Sequence, residues 1–157
     1  MRAVVVGCLL ACACAPVLST DAVPQDIAAI VESFRTSIIK KDKDKFLALF
    51  YPGASWVGVY GDGSLKQGQK QHPERGKAYS GSAASFMEML RSSQQRFEEK
   101  FGTLSVNEDA DIASVSFDYE FQKDGVTANH GKESWHLVRT AGGWKISSVV
   151  YSVNLVP

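Results

Sequence analysis

Beyond residue 14 the chain contains no cysteine. All three, Cys8, Cys12 and Cys14, lie close to the N-terminus. The rest can form no disulfide and offers no thiol nucleophile, so its stability must come from a packed core. An excess of one charge is lacking too. There are 17 basic and 17 acidic residues, a net charge of +0 and no block of like charge. A nucleic-acid binder carries a basic stripe, so nucleic acid is not an expected partner. The sign-alternating run Lys40-Lys41-Asp42-Lys43-Asp44-Lys45 reads as a solvated surface. Histidine is scarce and dispersed. His130 and His136 share a strand face but stand roughly 20 Å apart at about 3.3 Å per residue. Adding His72 makes no ligand cluster, and no metal is expected. Gly58-Val59-Tyr60-Gly61-Asp62-Gly63 lacks phosphate-loop spacing and reads as a turn after a strand. No serine sits in a Gly-x-Ser-x-Gly elbow. No cofactor is expected, and there is no internal repeat or low-complexity tract.

The N-terminus reads as a targeting segment. Met1-Arg2 supplies a positive start, Ala3 to Leu10 is nearly all apolar, and Ala11-Cys12-Ala13-Cys14-Ala15 is built of small residues. This is the layout of a secretory signal peptide, too short to span a membrane. Leu9-Leu10-Ala11-Cys12 resembles a bacterial lipobox. Leu10 is not the usual small residue there, so simple cleavage is favoured over a lipid on Cys12. The expectation is an exported protein of the bacterial periplasm or exterior. Residues 1–22 form signal peptide and tether, and 23–157 form one domain large enough for a real core.

Within that domain, Ile27, Ile30, Val31, Phe34 and Ile38 recur at helical spacing and predict a helix over 25–41. Pro24 suits its start, and Asp26 its positive dipole end. Asp42 caps a short second helix carrying Phe46, Leu47, Leu49 and Phe50, ended by Pro52-Gly53. Residues 55–60 alternate as a strand, and 61–81 read as a long polar loop. A third helix is expected over 82–101, with Phe86, Leu90, Phe97 and Phe101 on one face. Four strands follow at 103–108, 111–122, 126–140 and 143–154. Lys123-Asp124-Gly125 and Gly142-Gly143 supply turns that force antiparallel neighbours.

The alternation sorts the strands into faces. Ala113, Val115, Phe117, Tyr119 and Phe121 share an apolar face. Glu133, Trp135 and Leu137 share another, and Trp144, Ile146 and Ser148 a third. With both tryptophans turned toward the helices, Glu133 becomes a carboxyl in an apolar pocket, a setting that raises a pKa and suits proton transfer. The competing reading is a rim ion pair. Trp56, Tyr60, Phe117, Tyr119, Trp135 and Ser148 are the candidate ligand-binding residues, as pocket lining or as ordinary core. Val149, Tyr151 and Val153 form an apolar row expected on the outer face, a candidate homodimer surface.

The helix at 25–41, the Phe46–Phe50 segment leading into Trp56–Tyr60, and the closing Gly143-Trp144-Lys145-Ile146 strand together resemble the nuclear transport factor 2-like (NTF2-like) superfamily. Its SnoaL-like and ketosteroid-isomerase-like bacterial branches are the most similar. The resemblance covers about residues 25–154. It implies an α+β, cone-shaped, cystatin-like fold: a strongly bent antiparallel sheet around three helices, with an apolar cavity at the open end. It also implies a choice of roles. Some members isomerise, dehydrate or cyclise small apolar molecules; others bind ligands or partner proteins. The Tyr plus two-Asp set of the isomerases does not align onto this chain. The leading expectation is therefore a cavity that binds a small apolar molecule or a partner, with no reaction assigned. The alternatives are an isomerase, dehydratase or cyclase with Glu133 as base and Tyr60 or Tyr119 as donor, and an interaction module using the outer sheet face.

Overall fold

The computed structural model describes residues 23–156. The expected signal peptide, its tether and Cys12 lie outside them. The described chain runs α1 (Gln25–Lys40), α2 (Lys43–Leu47), β1 (Phe50–Tyr60), α3 (Asp62–Gln69), β2 (Ala78–Ser80) and α4 (Ala83–Ser92). It continues with β3 (Phe97–Phe101), β4 (Ser105–Glu108), β5 (Ile112–Lys123), β6 (Val126–Thr140) and β7 (Gly143–Leu155).

One sheet holds all seven strands in the order β2-β1-β7-β6-β5-β3, with β4 also paired to β5. The sheet is mixed: β1 runs parallel to β7 while the other pairs are antiparallel. Register shifts at Phe50/Ser55, Phe121/Gln122 and His136/Leu137 bend it. Helix α1 lies against β3 and β7. It inserts Ile27, Val31, Phe34 and Ile38 into the core, which is the stripe the spacing predicts. Phe34 is the hub, with its ring 4.8 Å from Phe46, 4.7 Å from Trp135 and 6.1 Å from Phe101. The start of α1 is latched to the sheet. The Asp26 carboxylate accepts from Trp144 Nε1 and from Arg139 Nη1, each at 3.0 Å, and the Arg139 guanidinium lies over the Trp144 ring. Asp42 caps α2 by accepting from the Lys45 N–H, as expected.

Four expectations are corrected. The polar stretch 61–81 is not all loop: α3 and β2 form within it, giving four helices among the described residues. Pro52-Gly53 ends no helix. Gly53, at φ +80, sits inside β1 at the Phe50/Ser55 irregularity, and Phe50 already belongs to the strand. The helix expected over 82–101 stops at Ser92, and Phe97–Phe101 is β3.

The fourth correction concerns β7. At its register shift Leu137 pairs with Ile146 but His136 with Ser148, so Ser147 is an extra residue and the face alternation inverts. Trp144 and Ile146 point inward as expected, and beyond the bulge so do Val149 and Val153, at 0% and 5% exposure. Tyr151 is turned inward with them, and Ser148 and Val150 lie on the outer side opposite His136 and Ser134. The apolar row argued for a homodimer surface is thus inside the molecule. Ser148 is not a pocket residue.

Candidate functional site

Between the inner sheet face and α4 lies a cavity of about 230 Å³. β1 contributes Trp56 and Tyr60, β2 contributes Tyr79, and α4 contributes Phe86 and Met89. The sheet adds Glu99 from β3, Tyr119 and Phe121 from β5, Asn129 and Glu133 from β6, and Tyr151, Val153 and Leu155 from β7. Arg75, in the segment before β2, stands at its edge. A wider hollow of about 810 Å³ lies over the outer sheet face, lined by Lys100, Asp118, Glu120, His130 and Lys132. These side chains are exposed, and Asp118 and Lys132 pair with each other. The inner cavity, which encloses the buried ionisable groups, is the candidate site.

Two carboxyls lie buried there. Glu99 and Glu133 are each 4% exposed. Glu133 Oε1 accepts from Trp135 Nε1 at 2.5 Å. Burial pushes the Glu133 carboxyl up to about 7, while the bonds from Trp135 and Glu99 restrain the rise. Glu99 is raised well above the usual carboxylate range by burial, then by the charge of Glu133 and the hydrogen bond to it. The two titrate as a unit. Burial of two facing carboxyls favours at least one proton kept between them, and it raises both above the ordinary carboxylate range.

Beside the carboxyls is a hydroxyl network. Trp56 Nε1 donates to Tyr151 Oη at 3.2 Å, and the Tyr79 and Tyr151 hydroxyls are 2.9 Å apart. The Tyr119 hydroxyl lies 2.8 Å from the Ser152 carbonyl and 3.0 Å from Asn129 Oδ1, both acceptors. Burial raises Tyr79, Tyr119 and Tyr151, so all three stay protonated. Glycine makes room for Tyr79: a side chain at Gly58, its partner across β1 and β2, would run into the Tyr79 ring.

Of the residues expected at a site, Trp56, Tyr60, Tyr119 and Glu133 come together on the cavity. Phe117 and Trp135 are core, packed on each other at 5.1 Å between ring centroids. Among the described residues Glu133 pairs with no basic side chain; its neighbours are Trp135 and Glu99. Glu99, Tyr79, Tyr151 and Arg75 were missed. The alternation Phe97-Glu99-Phe101 was the available signal for Glu99. Among the described residues no group of three could hold a metal ion.

A bent sheet closed over helices, with an inner cavity lined by carboxyls and phenols, defines the class: an NTF2-like, cystatin-like fold. Residues 27–156 match the SnoaL-like domain family, and the chain belongs to it. Solved structures agree on the fold. An NTF2-like protein of unknown function from Silicibacter pomeroyi is 20% identical, with a TM-score of 0.57 over 82% of this chain and 93% of that one. An NTF2-like protein with a cystatin-like fold from Novosphingobium aromaticivorans is 12% identical, with a TM-score of 0.63 over 82% and 79%. A protein of unknown function with a cystatin-like fold from Nostoc punctiforme is also 12% identical, with a TM-score of 0.58 over 82% and 89%. No curated protein matches the chain.

Proposed function

We propose that the inner cavity binds a small, mostly apolar molecule, its apolar body against the aromatic lining and its polar atoms hydrogen-bonded to polar side chains of the cavity. The observation that carries this reading is an aromatic cavity enclosing two buried carboxyls and phenols able to hydrogen-bond. At about 230 Å³ it suits one or two rings rather than a drug-sized ligand, for which sites of about 300 Å³ or more are usual. Trp56 Nε1 donates to the Tyr151 oxygen, and the Tyr79 and Tyr151 hydroxyls share one hydrogen bond, which leaves one proton of that pair free for a ligand. Native mass spectrometry of the mature protein, followed by small-molecule analysis of the denatured sample, should reveal a co-purified organic ligand. Titration with 1-naphthol should quench Trp56 fluorescence. Absence of both signals would refute the reading.

The carboxyl pair favours a second reading, proton transfer on the bound molecule. A carboxylate that ionises near neutrality beside a neutral acid can take a proton from carbon while neighbouring hydroxyls hold the developing oxyanion. Glu133 would be the base, with a hydroxyl of the Tyr79–Tyr151 pair as donor. Hydrogen exchange at the carbon next to the carbonyl of 1-indanone in D₂O, followed by NMR, tests this. Exchange should rise with an apparent pKa of about 7 and be lost in Glu133→Gln.

A further inference from the structure

Arg75 is the one basic side chain on the cavity, and among the described residues its guanidinium has neither an ion-pair partner nor a hydrogen-bond acceptor. Neighbouring charges are occupied elsewhere: Lys77 pairs with Asp62, and Glu74 stands by His72. Yet Arg75 is held in place. Its backbone N–H donates to the His72 carbonyl at 3.0 Å, and its own carbonyl accepts from Gln69 Nε2 at 3.0 Å. Its guanidinium carbon lies 5.4 Å from the centre of the Tyr60 ring. On the other side the arm lies on α3 at Gly68, where a Cβ would come within 2.7 Å of Nη1 and 2.9 Å of Cδ. The glycine makes the space the arm fills. A guanidinium carries five donors in a planar fork that matches a carboxylate with two parallel bonds. Here the fork is oriented and unused.

Resting on the cavity reading above, we infer that the ligand is an apolar, ring-bearing monocarboxylate whose carboxylate is gripped by Arg75 at the cavity edge. Charge fixes its direction. Arg75 is half-buried at the edge, whereas Glu99 and Glu133 are buried inside, where a carboxylate would be repelled. The ring therefore enters first, against Trp56, Phe86 and Phe121, and the acid group stays outermost. The guanidinium on the Tyr60 face gains further attraction as the site is closed from water.

The test is calorimetric titration of the mature protein with 3-phenylpropionate, its primary amide and inorganic phosphate. The acid should bind about tenfold more tightly than the amide, the size expected for a partly exposed charged hydrogen-bond pair. Arg75→Gln should bring the acid down to the level of the amide, with an unchanged melting temperature. Gly68→Ala, which keeps the charge but displaces the guanidinium, should lower the acid's advantage without weakening the amide. Equal binding of acid and amide, an advantage that survives Arg75→Gln, or phosphate competing as well as the acid would overturn the assignment while leaving the cavity reading intact. If acid, amide and neutral 1-naphthol all fail to bind, the cavity reading itself falls, and this inference with it.

Discussion

Two carboxyls buried against each other are tolerated only if at least one keeps a proton, and this shapes the pH response of the protein. Glu133 ionises at about 7 in the folded chain, against an ordinary 4.5. Between those values the folded state binds more protons than the unfolded one. The contribution of Glu133 is thus fully present below 4.5 and is lost as pH rises through about 7, and the raised Glu99 adds a loss in the same direction. Asp26, Glu32, Asp62, Glu88 and Asp109 are shifted downward and act the opposite way in acid, but they are exposed and add little. The melting temperature should fall by roughly 5 °C from pH 5 to pH 8. In Glu133→Gln the fall should be smaller, and calorimetry giving the same fall as in the parent would contradict the assignment. Tyr151→Phe tests the hydroxyl network at the same scale. It removes the acceptor of Trp56 and the hydroxyl partner of Tyr79, and with them the hydroxyl pair's hydrogen bond to a ligand. Affinity for 1-naphthol should drop about tenfold, as for a lost buried hydrogen bond, with the tryptophan emission shifted.

At the scale of elements, α1 shows how much a simple period reveals. Its stripe, its Pro24 start and its place against the sheet all follow from residues three and four apart. Phe34→Ala should cost about 3–5 kcal/mol in urea unfolding, because the ring is enclosed by five others and the site cannot collapse. Ile39→Ala, exposed on the opposite face of the same helix, should fall within about 0.5 kcal/mol. The α4–β3 boundary shows the reverse. Phe97 and Phe101 are four apart, a spacing that fits one helical turn and one face of a strand equally well. The polar run Ser92-Ser93-Gln94-Gln95 was the sign that the helix had ended. Reading through it hid Glu99, the partner that makes Glu133 more than an isolated buried acid.

For the whole molecule, the bulge in β7 matters most. One extra residue at Ser147 exchanges the faces of everything after it. Val149, Tyr151 and Val153 move from a supposed partner surface to the interior, and Tyr151 becomes the centre of the cavity's hydroxyl network. Pairing of copies through the outer face would have to use Ser134, His136, Ser148 and Val150. Export remains a proposal resting on the N-terminal sequence, and among the described residues no helix is long and apolar enough to cross a membrane. N-terminal sequencing of the mature protein should find a start within residues 15–24. A lipid-modified Cys12 at the start would refute simple cleavage.

Local patterning determined the α1 stripe, the α2 cap, the clean two-faced β5, the inward turn of Glu133 and Trp135, and the family these imply. Each depends on a period or a cap read within one element. Tertiary structure alone decided that Glu99 meets Glu133, that Tyr79 and Tyr151 join Trp56, and that Arg75 comes to the edge of the cavity. Those contacts link β3 to β6, β2 to β7, and a connecting segment to the sheet. They depend on strand order and on a bulge that inverts a face, and neither leaves a mark in residue spacing along the chain.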